Sequence, residues 1–413
     1  MKILYVTPDI PWPPRVGGAL RKWNVLQGLL QAGSVDCVVI GKRGAAIHSQ
    51  SYANCGKVFV ADEDDFALSA EQREQYNSTL GRGALVFSST LPFEYQGKAH
   101  SHMREKLRKE VDFSQYDCVW FATARAAIPI GLKGANATVL DGDDYSYVRE
   151  WLLLRTTPSY GAKLWNYFDV AKLWWWERGH VQRFSIVVRC SNDDRARHPG
   201  KNVVVIPNGT DVPAALNRRP QARALFVGDL GYEPNQHGVE WFLQNAWPLI
   251  RAQIPEAQID LVGRNRSSYI EAANGRDGIH VHGFVEQIEP FFETAALSVV
   301  PLLSGGGTRL KIPESLVRGV PVVSTRVGAY GMEAGEEHGL YLADEPTAFA
   351  EKCIGLLADP TAAATHALAG REYVASIHDW RVIQQQVARA AAQAASTAQR
   401  GGGVPSRRGV LGA

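Results

Sequence analysis

The sequence predicts an α/β protein made of two doubly wound units. Three observations predict it: short apolar runs that suit strands buried on both faces, amphipathic helical stretches alternating with them, and glycines where the runs end. The length of 413 residues fits about two to three domains at roughly 150 residues each.

The elements follow in order. Lys2 to Val6 reads as a first buried strand and leads into a loop from Pro8 to Pro14, then Gly17-Gly18. Leu20, Trp23, Leu26, Leu29 and Leu30 lie on one face of a helix, and Val35 to Ile40 is the next strand. Strand, helix and strand in this order make a βαβ unit, so the sheet is expected to be parallel. Cys118 to Phe121, Ala137 to Leu140, Ile186 to Val188 and Val203 to Ile206 read as further strands. A second series starts at Arg223, with strands Ala224 to Val227, Gln258 to Val262, Ile279 to His282, Leu297 to Leu302 and Val320 to Ser324. Helices are expected over Val239 to Ile250 and up to Arg318. The break falls near Pro207-Asn208-Gly209, with Ala214 to Gln221 as linker. This gives an N-terminal domain over 1–213 and a C-terminal domain over 214–379. A helix over 380–395 and a Gly-, Arg- and Ser-rich tail over 396–413, expected to be disordered, complete the chain.

Composition removes several function classes. The chain is 45% hydrophobic and 21% charged, which excludes disordered and fibrous classes. Lys plus Arg is 44 against 42 Asp plus Glu, so no general basic bias points to nucleic acid. The five cysteines form no CxxC pair, and buried reduced thiols are the expectation. The N-terminal apolar run is too short for a signal-peptide core, and no run of about 18 apolar residues offers a membrane span. A cytoplasmic protein is the expectation.

The richest motif is Ser304-Gly-Gly-Gly-Thr308-Arg-Leu-Lys311-Ile-Pro-Glu314, followed by Gly319-Val-Pro321. A strand runs into Gly305, Gly306 and Gly307 and then into a helix start. Glycine lets the backbone approach a ligand, and the free N–H groups of a first helical turn favour an anion. Arg309 and Lys311 add cations at the end of the helix where its dipole disfavours them, a conflict that a bound anion resolves. Glu314, about one turn further, can accept from a pair of sugar hydroxyls.

Here the sequence resembles family-4 glycosyltransferases of the GT-B architecture. The likeness rests on Phe226-Val-Gly-Asp-Leu230, Val262-Gly-Arg264, His282-Gly-Phe-Val285, Val300-Pro-Leu302 and the glycine-rich motif. Pro11-Trp-Pro-Pro14 with Gly17-Gly18, Ser191-Asn-Asp-Asp194 and Ile206-Pro-Asn-Gly-Thr-Asp211 extend it to about Trp380. The resemblance implies two Rossmann-like domains facing across a cleft, with the C-terminal helix returning to the N-terminal domain. It implies a retaining transfer of sugar from a nucleotide-sugar to a glycan or lipid-linked acceptor, in cell-surface or exopolysaccharide synthesis, with no metal and no cofactor. Lys311, Arg309 and the amide of Gly306 are then assigned to the diphosphate. Glu314, Gly305, Gly307, Thr308, Arg264, Phe284, Val285 and Gly228 are assigned to the donor. Gly17, Gly18 and Asp144 are assigned to the acceptor side. Asp141-Gly-Asp143-Asp144 looks like a DxD motif and is taken as acidic residues facing the cleft.

The sequence also departs from the family. The first glutamate of the usual Glu-x7-Glu pair is replaced by Gly306. Asp229 and His237 stand where Arg and Lys are common, and no histidine occurs around Phe121 to Arg125. Alternatives are a nucleotide-sugar epimerase on the same fold, or a non-catalytic scaffold. Five of eleven tryptophans lie between Trp151 and Trp176, accompanied by Lys163, Lys172 and Arg178. Two readings stand: peripheral contact with the inner face of the cell membrane, or a helix packed inside the protein.

Overall fold

The computed structural model describes residues 1–14, 17–41, 48–62, 74, 78–96, 107–142, 145–156, 163–198, 200–214, 217–264, 267–305, 310–359 and 364–401. The chain divides into two compact units, Met1–Pro207 with Arg381–Ala413, and Asn208–Trp380.

The first unit is built on seven strands: β1 Lys2–Pro8, β2 Ser34–Gly41, β3 Val58–Asp62, β4 Cys118–Phe121, β5 Thr138–Asp141, β6 Ile186–Arg189 and β7 Val203–Val205. Their order is β3-β2-β1-β4-β5-β6-β7, and every pairing is parallel. The strands β1, β4 and β5 are buried almost end to end, which is why they read as unbroken apolar runs. The edge strand β3 escapes the sequence reading because it alternates: Val58 and Val60 are exposed while Ala61 is buried.

The second unit has six strands: β8 Arg223–Val227, β9 Gln258–Val262, β10 Ile279–Gly283, β11 Leu297–Val300, β12 Val322–Ser324 and β13 Leu340–Leu342. Their order is β10-β9-β8-β11-β12-β13, again all parallel. Three residues long, β13 carries too little pattern to be seen in sequence. The core between this sheet and its helices includes Phe226, Phe242, Trp247, Leu261, Leu297 and Phe349.

Local corrections have local causes. The helix expected from Val239 starts at Glu233 and runs to Gln253, with a wide π turn over Phe242–Ala246. Pro248 removes one donor of the regular ladder and crowds the carbonyl a turn earlier, and the widened turn relieves both. The last helix runs from Trp380 to Gly401, so residues 396–401 are helical and not part of a disordered tail. Its Ala-rich sequence carries the periodicity past Ser396. Residues 402–413 lie outside the described residues. This helix packs on Gly17–Ala32: a Cβ on Gly28 would lie 2.6 Å from the Gln384 carbonyl oxygen, so glycine permits the close approach. Gln384 donates to Asn24 Oδ1 at 2.8 Å and accepts from Gln31 at 2.9 Å. The five cysteines are free, and Cys37 and Cys55 meet with sulfurs 3.4 Å apart.

Candidate active site

Parallel doubly wound sheets bind ligands at the carboxyl ends of their strands, where neighbouring strands send their connections to opposite sides. In the second unit that point lies between β8 and β11. Gly228 follows β8, and the glycine-rich loop follows β11.

The structure brings Lys311 and Gly228 together. A Cβ on Gly228 would lie 2.6 Å from Lys311 Cε and 3.0 Å from its Nζ. Lys311 Nζ also stands 5.6 Å from the centre of the Phe226 ring, a cation–π contact. The lysine thus crosses from the first turn of the helix Lys311–Leu316 to the end of β8. Any side chain at position 228 would displace it.

Two further close approaches shape the floor. A Cβ on Gly263 would fall 1.9 Å from the Gly228 carbonyl oxygen, and one on Gly238 would fall 2.6 Å from the Pro301 carbonyl oxygen. The ends of β8 and β9, and of the helix Glu233–Trp241 and β11, therefore touch backbone to backbone. Asn235 is buried beside Gly228 and donates to the Asp229 carbonyl at 2.7 Å. Its Oδ1 has no partner among the described residues. Asn235, Gly238 and Phe226 were not singled out from the sequence as site residues, because a lone Asn or Gly in a helix carries no spacing signal. Only their contacts with Lys311, Gly228 and Pro301 mark them.

Glu314 is half-buried, and no described residue donates to its carboxylate. Burial raises its pKa above the ordinary carboxylate range. Arg318 and Lys311 pull it down, and Asp211 pushes it up. Ligand hydroxyls that donate to this carboxylate would replace the water it has lost. The helix that carries it ends as its sequence suggests. Gly319 takes a φ of 72° and donates to Leu316, and Val320 donates to Ser315, a Schellman closure.

Other assigned residues fall differently. Gly305 has a φ of 115°, open to glycine and strained for other residues. Gly306, Gly307, Thr308 and Arg309 lie outside the described residues, as do Asp143 and Asp144. Arg264 is exposed and pairs with Asp229 at 2.6 Å, so the acidic residue at the position where the family often has a cation ties up a neighbouring arginine. Phe284 is exposed after Gly283, whereas Val285 packs against the cluster of Leu225, Val262 and Phe292. His280 and His282 share one side of β10, but His282 is held by Asp260 at 2.7 Å, and Asp260 also pairs with Arg223. Among the described residues no group of three or more His, Cys, Asp or Glu is arranged to hold a metal ion. A hollow of about 480 Å³ lined by Trp247, Arg251, Arg276 and Asp277 lies beside Ile279 at the start of β10, at the opposite end of the strands.

In the first unit the corresponding point lies between β1 and β4. Gly17 and Gly18 are exposed at the start of the helix that follows β1. Asp141 is held by an arginine of its own unit, and it borders a hollow of about 210 Å³ together with Arg149, Glu177 and Arg189. It is buried at the end of β5 and accepts from Arg21 Nη2 at 2.7 Å and Nε at 3.1 and 3.2 Å. Arg21 also donates to the carbonyls of Ile206 and Pro207 at 3.3 Å. An aspartate at a strand end looks like a ligand group in sequence, and only tertiary structure supplies the arginine that neutralises it.

Residues 221–359 match the model of the family described as glycosyl transferases group 1. An uncharacterized 44.6 kDa protein from the cps region of Klebsiella pneumoniae is 23% identical over 374 residues, 86% of this chain and 90% of that protein. The fold is shared with HepE of Anabaena, solved with bound UDP, at a TM-score of 0.61 and 16% identity over 95% of this chain and 100% of that one. Sucrose-phosphate synthase from Thermosynechococcus elongatus aligns at a TM-score of 0.66 and 16% identity, covering 96% and 99% of the two chains. The architecture is that of the GT-B glycosyltransferases.

Proposed function

We propose, for a chain whose residues 221–359 match the model of the group 1 glycosyl transferases, that it is a retaining glycosyltransferase acting on a nucleotide-sugar without a metal ion. The observation that carries this reading is the placement of Lys311 over Gly228 between β8 and β11, with Glu314 one turn further on. Departure of the nucleoside diphosphate leaves negative charge on its phosphates while the sugar becomes oxocarbenium-like. A fixed cation and backbone amides at the phosphates stabilise that charge as it develops. Lys311, Arg309 and the amides of Gly305 to Gly307 supply this term. Glu314 accepts the ribose hydroxyls, and Gly228 provides the open floor on which Lys311 lies. Thr308, Arg264, Phe284 and Val285 complete the donor side, with the exposed Phe284 ring as the group available to a base. The amide of Gly306 stands in for the missing first glutamate.

The acceptor is a glycan or lipid-linked glycan met by Gly17, Gly18 and Asp144. The relative encoded in a cps region supports cell-surface or exopolysaccharide synthesis as the setting. UDP is the first nucleotide to test because HepE was solved with it. In a thermal-shift panel of UDP, GDP, ADP and TDP, one nucleotide is expected to raise the melting temperature of the protein. By calorimetry Glu314→Ala should bind that nucleotide about 100-fold more weakly, the worth of two charge-assisted hydrogen bonds. Unchanged affinity would remove Glu314 from the site. Absence of turnover with every donor sugar would favour the scaffold reading.

A further inference from the structure

The tryptophan-rich helix Leu164–His180 exposes its apolar residues in a regular stripe. Leu164, Tyr167, Phe168, Ala171, Trp174 and Trp175 all face solvent at helical spacing, with Leu164 66% and Trp175 57% exposed. Its other face is also apolar and is the one that packs inward, through Val170, Leu173 and Trp176. Three consecutive tryptophans are thus divided, two outward and one inward. The neighbouring helix Thr79–Ser88 repeats the arrangement. Leu80, Ala84 and Phe87 are exposed, Leu80 at 85% and Phe87 at 61%, while Val86 is buried. The two stripes adjoin: the Phe87 and Phe168 rings lie edge to face at 5.1 Å, and Trp165 packs against Gly83. Lys172 binds the carbonyls of Val86 and Ser89 and so ties the helices together.

A contiguous exposed surface of this kind marks an interaction site. Its chemistry selects the partner. The charges beside the stripes are cationic: Arg82, Lys163 and Arg178, the last over the Trp174 ring at 5.4 Å. The acidic residues of these two helices are used internally, Asp169 accepting from the Phe93 amide at 2.8 Å and Glu177 buried. A second copy of this surface would set cations against cations with no exposed carboxylate between them. A bilayer with anionic headgroups meets both features, since Trp and Tyr favour the headgroup layer and basic residues favour its charge.

We propose that these two helices form a docking surface for an anionic lipid bilayer, with Phe87, Phe168, Trp174 and Trp175 entering the headgroup layer. The helices lie on the membrane and do not cross it, and no helix among the described residues is long and apolar enough to do so. The surface is independent of nucleotide binding, so failure of the donor assignment leaves it standing.

The test is co-sedimentation of the full chain with phosphatidylglycerol vesicles and with phosphatidylcholine vesicles. Binding is expected to phosphatidylglycerol, weakened by salt, and about ten-fold weaker in the combined variant Phe87→Ser, Trp174→Ser, Trp175→Ser. The charge-reversal pair Arg82→Glu, Lys163→Glu leaves the stripes intact and should also lose binding to the anionic vesicles. The melting temperature of each variant without nucleotide, compared with that of the parent, reports whether it remains folded. The proposal is overturned if the parent protein stays in the supernatant with both vesicles or if both variants sediment like the parent. It is also overturned if light scattering shows a dimer that the serine variant dissolves while lipid binding is absent.

Discussion

The two sheets share a winding pattern but treat charge at the carboxyl ends of their strands in opposite ways. Near the carboxyl ends of β4 and β5, Arg21 and Asp141 are buried against each other, and the arginine also holds two carbonyls of its own unit. Near the ends of β8 and β11, Lys311 and Glu314 are half-buried, and the glutamate carboxylate receives no hydrogen bond from any described residue. The first unit uses its charges to hold its chain together. The second leaves a carboxylate whose hydrogen bonds are open to a ligand. The same topology therefore yields a structural lock in one place and a candidate site in the other.

The contrast can be broken in order of effect. Arg21→Met should be the most damaging change, because it leaves Asp141 buried and uncompensated. A loss of about 3–5 kcal/mol of stability is expected in chemical denaturation, with nucleotide affinity of the surviving folded fraction unchanged. A melting curve like that of the parent protein would show that Asp141 is not locked. Glu177 supplies the pH test in the same unit. Burial pushes its pKa up to about 7, against the backbone N–H donors of Tyr147 and Ser146. Between the ordinary carboxylate value of 4.5 and about 7, the native state keeps a proton that the unfolded chain has released. Stability from this group therefore falls as pH rises through that window. Glu177→Gln should remove this loss, so its stability relative to the parent should improve by about 3 kcal/mol between pH 4 and pH 8. A pH-independent difference would contradict the burial argument.

In the second unit the expected effects move from stability to function. Lys311→Ala should lower turnover by about 10²-fold, the scale of one group that stabilises transition-state charge, with little change in melting temperature. A large fall in stability with normal turnover would reverse the contrast and make Lys311 a structural residue. The smallest effect is expected from Asp229→Asn. It frees Arg264 from an exposed ion pair, and calorimetry should show nucleotide affinity rising by a few-fold, within about 1 kcal/mol. Weaker binding would mean that the pair itself orders the loop.

Much of this was legible in the sequence because it is local. Parallel strands buried on both faces must be apolar throughout, so β1, β4, β6, β8 and β9 stand out as runs. The Gly319-Val-Pro321 closure is equally readable, since a left-handed residue after a helix selects glycine. Edge strands were less legible because water replaces a sheet on one side. β3 accordingly alternates and β13 is very short. The candidate site was half readable. Gly228, Lys311 and Glu314 announced themselves by residue type and spacing, whereas Asn235, Gly238 and the Phe226 ring did not.

By itself the sequence determined the α/β class, the two series of strands, the switch from one to the other near Pro207, and the glycine-rich turn with its lysine and glutamate. Those features depend on neighbours a few residues apart, and periodicity and backbone conformation report them directly. Tertiary structure alone decided which charges are spent on the fold. Arg21 meets Asp141 across 120 residues, and Lys311 reaches Gly228 from the other side of the sheet's switch point. It also decided which of three adjacent tryptophans is buried and which two remain exposed. Desolvation is the physical reason: whether a charge or a ring meets water depends on what distant chain segments bring to it, and no local pattern encodes that.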